Sequence, residues 1–284
     1  YIKLQMVSID FQEILQYALR SQLSYAIAEP GWGITEKLGW RSSCPYRVYI
    51  EEVPEVNINV IVELDDSQQL QWIAVRGTDN LRNWLEDLDY VEKKFSQNFA
   101  AQTLTIDLHN GFYQASNAAW KVIQPHLNPN YQTRITGHSL GGAIAAILMM
   151  FVKDAGYSLE KCITFGQPKI TNRDGAKKAA HLPLLRVINQ EDVVPTVPPN
   201  SLLNLKQGGY VHFGAEVQLE PNSYVFHAEH NKRSLTEGFW WRLLNEDIKN
   251  ILGDCKEHYI QNYLHNLTSN LKLSEQKEQY LLTK

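Results

Sequence analysis

The chain has 284 residues, 44% of them apolar, enough side-chain volume for one large core or two small ones, so a two-domain split is allowed without being required. Lys and Arg total 27 against 31 Asp and Glu, with no block of like charge, which leaves no electrostatic footprint for nucleic acid or an anionic bilayer. The longest apolar run, Ala143 to Val152, stops at Lys153, far short of the roughly 20 residues that span a hydrocarbon core, so no transmembrane segment is expected.

In chain order, the first strong pattern is a helix from about residue 10 to 28. Phe11, Ile14, Leu15, Ala18 and Ala26 lie near one face, Asp10 and Glu13 form a capping pair, and Pro30-Gly31 ends it. That helix reads as packing. Arg47–Val53, Asn57–Leu64 and Gln71–Val75 are rich in β-branched and aromatic residues, and the last two flank the turn Asp65-Asp66-Ser67, which predicts an antiparallel start to a sheet. From Thr103 the pattern alternates: strand 104–108, helix 112–123, strand 133–135, helix 142–155, strand 162–165, helix 172–180, strand 184–188. Strands alternating with helices imply an α/β architecture, a mostly parallel sheet covered on both faces with its chemistry at the carboxyl ends of the strands. Helical periodicity returns over about 235–271, and Leu273–Lys284 is polar enough to fray. No repeat, Ser/Gly linker or low-complexity tract interrupts the chain, so 1–284 reads as one domain.

Between the strand ending at Ile135 and the next helix lies Gly137-His138-Ser139-Leu140-Gly141, a G-x-S-x-G sequence in the strand, turn, helix setting that the motif requires. A serine lifted onto so tight a turn brings the residues two before and two after it close together, so both must lack side chains, and Gly137 and Gly141 do. Gly142 and Ala143 keep the helix start slim, letting its first N–H groups and its dipole face a developing negative charge. Ser139 is the candidate nucleophile; His138, beside it, is expected to point elsewhere and receives no role.

The stretches Ala74–Thr78, Asn83–Leu88, His109–Tyr113, Gly137–Ala143 and Thr164–Pro168 with Asn172, in this order, resemble the class 3 lipases, continuously over about residues 70–220 and again near the C-terminus. The resemblance implies an α/β-hydrolase fold and ester hydrolysis. Lys169 stands where the family usually has Arg and Thr171 where it usually has Gly, and the cysteine set of the secreted fungal members is absent.

A serine hydroxyl needs a histidine base, and the base a carboxylate to fix its tautomer; in α/β-hydrolases the chain order is Ser, Asp or Glu, His. Asp192 follows the strand 184–188 after a short loop and precedes Val193-Val194-Pro195, and the segment resembles the family's acid-bearing loop; Glu191 is the local rival. Five histidines follow Asp192: His212, His227, His230, His258 and His265. His212 lies in a stretch resembling a family strand without catalytic duty, His227 and His230 match nothing in the family, and Glu257–Leu264 resembles its late histidine segment leading into a Tyr-bearing helix. The resemblance therefore selects His258. For the oxyanion hole, the N–H of Leu140 is one donor; the backbone and hydroxyl of Thr78, just past the strand ending at Val75, are the other, and the resemblance carries Thr78 to that role. Directly after it, about residues 80–90, Leu81, Trp84, Leu85 and Leu88 make one apolar stripe at i, i+3, i+4 and i+7, which in a resembling lipase is the lid. Phe239-Trp240-Trp241 with Leu243 and Leu244 is a second apolar surface that reads as a core helix.

The expectation is a lipase-type serine ester hydrolase acting on acylglycerols through an acyl-enzyme, without metal or cofactor, with an ester lipid as substrate and transient contact with a lipid interface. Phospholipase A1, galactolipase and feruloyl-type esterase are alternatives on the same scaffold, and a catalytically dead binding module is the reading from outside the enzymes. Three cysteines without CxxC spacing and an opening without a leader-like pattern point towards the cytoplasm; because the chain opens at Tyr1, and because Asn266-Leu267-Thr268 is a glycosylation sequon, a trimmed secreted form stays open.

Overall fold

A computed structural model describes residues 9–26, 46–78, 92–99, 102–198, 209–228 and 255–282. The apolar stripe of 81–88, the aromatic cluster at 239–241, His230 and Cys44 lie outside the described residues. The first helix, α1 (Phe11–Ala26), is capped as its sequence predicts, Asp10 Oδ1 accepting the Glu13 N–H at 2.9 Å. It leads to β1 (Tyr46–Val53), β2 (Ile58–Asp65) and β3 (Leu70–Val75), paired antiparallel; the β2–β3 turn is held by Asp65 Oδ1, which accepts the N–H groups of Ser67 and Gln68.

The following elements are β4 (Glu92–Phe99), β5 (Gln102–His109), α2 (Asn110–Ile123), β6 (Gln132–His138), α3 (Leu140–Asp154), β7 (Ser158–Phe165), β8 (Thr171–Asn172), α4 (Arg173–Ala179) and β9 (Leu184–Asn189). Then come β10 (Tyr210–Val211), β11 (Ala215–Glu220), β12 (Ser223–His227) and α5 (Ile260–Leu282). Among the described residues the main sheet has eight strands in the order β1-β2-β3-β6-β7-β9-β11-β12, parallel from β3 to β11 and antiparallel at both edges. The strand expected at 104–108 is present as β5, but it lies in a separate antiparallel sheet, β10-β8-β5-β4, rather than in the parallel run. The tail expected to fray instead continues α5 to Leu282.

Strand alternation divides the core in two. Ile73, Val75, Ile135 and Cys162 face α2 and α3, whereas Leu70, Trp72, Ile163, Phe165 and Val187 face α1 and α5, where Phe11, Ile14, Tyr17, Tyr263 and Leu267 pack. Every residue of α3 from Leu140 to Val152 is buried, as expected of a helix apolar all round. Cys162 is a buried free thiol. Among the described residues no helix is long and apolar enough to cross a membrane.

Candidate active site

The parallel strands end side by side: Val75 of β3 is level with Gly137 of β6, His138 with Phe165 of β7, and Phe165 with Val187 of β9. Thr78, Ser139, Gly166 and Asp192 therefore all lie at one carboxyl-terminal rim, although 114 residues of sequence separate the first from the last. Ser139 has φ 59° and ψ −129°, a conformation that a non-glycine residue rarely adopts. Three contacts hold it there: its N–H donates to Phe165 O at 2.9 Å, its carbonyl accepts from Gly142 N at 2.9 Å, and α3 begins at the next residue. A side chain on Gly137 would strike the Gly141 carbonyl, and one on Gly141 would strike the Val75 carbonyl, so the glycines let the turn close on itself and against the end of β3.

Asp192 and His258 are brought together from the loop after β9 and from the 3-10 turn Cys255–His258, both buried, with Asp192 Oδ2 to His258 Nδ1 at 2.7 Å. The carboxylate is fully used: Oδ1 accepts the Val194 N–H at 2.9 Å, and Oδ2 also accepts the Tyr263 hydroxyl at 2.5 Å. Burial, and after it the charge of Asp192, push the Tyr263 phenol well above its ordinary value. Because the carboxylate accepts, Nδ1 carries the proton and Nε2 is left as the basic nitrogen. His258 Nε2 and Ser139 Oγ are both buried, and neither has a hydrogen-bond partner among the described residues. They share a neighbourhood. Gly166, with φ +57°, directly follows the carbonyl that binds Ser139 N, and a Cβ there would fall 2.8 Å from Asp192 Oδ2 and 2.8 Å from His258 Cε1.

The two expected oxyanion donors flank the serine. Leu140 opens α3, where a backbone N–H has no partner within the helix; Thr78 follows Gly77, whose Cβ position lies 3.3 Å from Ser139 Cβ. The rival acid Glu191 points to solvent. The other histidines lie elsewhere: His212 is buried with Nε2 donating to Pro195 O at 2.7 Å, His227 lies on the edge strand β12, and His265 is exposed on α5. The sequon is folded into α5, its Asn266 Nδ2 bonded to Asn189 Oδ1 at 3.1 Å.

Lys169, the departure noted in the sequence, is buried beneath the acid loop: Nζ donates to Thr196 O at 2.5 Å and Pro198 O at 3.1 Å, and its own N–H to Val197 O at 2.8 Å. Burial lowers its pKa to about 8. Sequence reasoning gave no duty to Tyr263, Gly166 or His138. The tyrosine and the glycine each stand inside a stretch already singled out, and what could have marked them was the need of a buried carboxylate for more than one donor and of a crowded strand end for a residue without Cβ.

The class 3 lipase family model matches residues 72–202. Over 177 residues the chain is 29% identical to a lipase of Rhizomucor miehei, an alignment covering 58% of this chain and 46% of that protein. A secreted mono- and diacylglycerol lipase of Fusarium solani is 25% identical over 185 residues, covering 58% and 49%. The chain thus spans about half the length of the relatives it matches. Among solved structures, the Lip2 lipase of Yarrowia lipolytica superposes with a TM-score of 0.67 at 21% identity, covering 88% of this chain and 94% of that one. Lipase II of Rhizopus niveus gives 0.61 at 21%, covering 78% and 87%. At that identity the likeness is one of fold, the α/β-hydrolase fold.

Proposed function

We propose, from the match of residues 72–202 to the class 3 lipase family, that the chain is a member of that family and a serine carboxylic ester hydrolase acting on acylglycerols. One observation carries the reading: a buried histidine bonded through Nδ1 to a buried carboxylate, at the same strand-end rim as a buried serine on a strained turn, with the histidine Nε2 and the serine Oγ both without a hydrogen-bond partner among the described residues. Buried polar atoms left without partners are unfavourable in a resting core, and a reacting group that bonded to each would satisfy them.

In the proposed cycle Ser139 Oγ attacks the ester carbonyl as His258 Nε2 takes its proton. Asp192 keeps the imidazole in the right tautomer and stabilises the imidazolium, with Tyr263 and the Val194 N–H holding the acid. Negative charge collects on the carbonyl oxygen, met by the Leu140 N–H and by Thr78; preorganised donors of this kind contribute about 2.7 to 4 kcal/mol each. His258 returns the proton to the leaving alcohol, and water, activated by the same nitrogen, then frees the acid and restores the serine. The names of the relatives, a lipase and a mono- and diacylglycerol lipase, support acylglycerols as substrate. We keep the stripe Leu81, Trp84, Leu85 and Leu88 as a lid, on its spacing and its place directly after Thr78. We also keep 1–284 as one domain, which the continuous sheet from β1 to β12 supports.

The test is a substrate panel: p-nitrophenyl esters from two to sixteen carbons, triacylglycerol, diacylglycerol, phosphatidylcholine and galactolipid. Hydrolysis of the acylglycerols, reduced by several orders of magnitude in Ser139→Ala, is the expected outcome. Activity confined to phospholipid or galactolipid would move the substrate class, and activity surviving Ser139→Ala would overturn the nucleophile.

A further inference from the structure

The base is held by more than its acid. The turn that carries His258 is tied to the sheet at two consecutive carbonyls: Asn189 Nδ2 at the end of β9 donates to Glu257 O at 2.8 Å, and His138 Nε2 at the end of β6 donates to His258 O at 2.6 Å. The rings of His138 and His258 lie 4.5 Å apart. A carbonyl only accepts, so His138 Nε2 carries a proton; in the neutral ring Nδ1 is then a lone pair, and its partner, the Tyr25 hydroxyl at 2.8 Å, is the donor. The direction of every bond in the chain from Tyr25 through His138 to His258 O is therefore fixed.

That chain is the top rung of a ladder. Thr136 Oγ1 meets Tyr17 O at 3.2 Å and Ser21 Oγ at 2.8 Å, and one helical turn further on, two strand residues further along, Tyr25 meets His138. Four helical residues rise about 6 Å and two strand residues about 6.6 Å, so α1 and β6 stay in step. Helix α1 thus delivers the Tyr25 hydroxyl to the rim, where it fills the space a Cβ on Gly77 would need, beside Ser139.

We infer that Tyr25 and His138 are positioning residues for the catalytic base: they fix the main chain of His258, and with it the approach of Nε2 to Ser139. The inference rests on the reading of His258 as the base. It also requires a neutral His138, since a cation 4.5 Å away would oppose the imidazolium that forms on His258 in each half-reaction. Burial, and after it the neighbouring His258, keep the pKa of His138 well below its ordinary value.

The experiment compares wild type, His138→Leu, His138→Gln and Tyr25→Phe on a soluble p-nitrophenyl ester, at a temperature where each melting curve shows a fully folded protein. His138→Leu removes both the donor and the acceptor; the glutamine amide offers one of each, about as far apart as the two ring nitrogens. The expected result is a fall in kcat of about 10- to 100-fold for leucine with KM little changed, a smaller fall of the same kind for Tyr25→Phe, and recovery of most of the rate by glutamine. Leucine and glutamine losing equally, losses that fall on KM, or wild-type kcat in Tyr25→Phe would each overturn the inference, and the last two do so even if the leucine variant does not fold. The wild type separates this result from the larger claim: if it fails to turn over the ester at all, or does so equally in Ser139→Ala, the proposed activity fails rather than the positioning role.

Discussion

Ser139 concentrates the argument at the scale of single residues. Its φ of 59° and ψ of −129° lie outside the regions an L-residue prefers, and backbone strain of this kind costs about 1 to 3 kcal/mol. Ser139→Ala keeps the strain, whereas Ser139→Gly relieves it and gives back only about 0.5 to 1 kcal/mol in the entropy of the unfolded chain. Both variants should be inactive, and the glycine variant should melt no lower than the alanine variant; a clearly lower melting temperature for glycine would mean the turn is relaxed. The serine and its two glycines were legible in the sequence because the motif is local. His138 was not, because its duty depends on a helix more than a hundred residues upstream, and Tyr25 and Ser21 look in the sequence like polar interruptions of an apolar stripe. Tyr263 is half-legible: the sequence shows a Tyr-bearing helix, but nothing local says that its hydroxyl reaches Asp192.

At the scale of elements, the acid loop is strapped from beneath by Lys169, an amine with two carbonyl partners. Its folded pKa of about 8 lies below its ordinary value of 10.5, so between those values the unfolded chain binds the extra proton and stability attributable to this group rises with pH. Wild type relative to Lys169→Met should therefore gain in urea midpoint from pH 7.5 to pH 10; a constant difference would mean the amine keeps an ordinary pKa. The parallel strands and their helices were readable from apolar runs and periodicity. β4 was not, since Glu92-Lys93-Lys94-Phe95-Ser96-Gln97-Asn98-Phe99 has no alternation to read. β5 is legible as a strand but its sheet is not, because a sequence pattern carries no partner, and the alternation that places it in the parallel run misleads. The end of α5 was misread from its polarity: Glu, Gln and Lys are strong helix formers, and extending a helix already nucleated by buried Tyr263 and Leu267 costs little.

For the molecule as a whole, the proposal sets a rim of catalytic groups beneath a proposed lid. If the stripe Leu81, Trp84, Leu85 and Leu88 covers Ser139, uncovering about 200 to 300 Å² of it to water would cost roughly 5 to 8 kcal/mol, and only a surface with differential affinity for the open form repays that. Trp84→Ser should then lower activity on emulsified triacylglycerol far more than on a short soluble ester; equal losses, with no rate jump in the wild type at the solubility limit, would mean a fixed helix and an esterase. What made the whole legible from sequence was the order of five local motifs; what stayed illegible was how the late histidine returns to the rim, which is decided by carbonyls of its own main chain held by Asn189 and His138. The central claim, an acyl-enzyme on Ser139 formed with His258 as base, is tested most directly by phosphonylation with an alkyl phosphonate ester, mapped by peptide mass spectrometry and timed in wild type, His258→Ala and His212→Ala. The account predicts one phosphonyl group per chain, on Ser139, at a rate lost in His258→Ala and retained in folded His212→Ala; label on another serine, or an unchanged rate in His258→Ala, would contradict it.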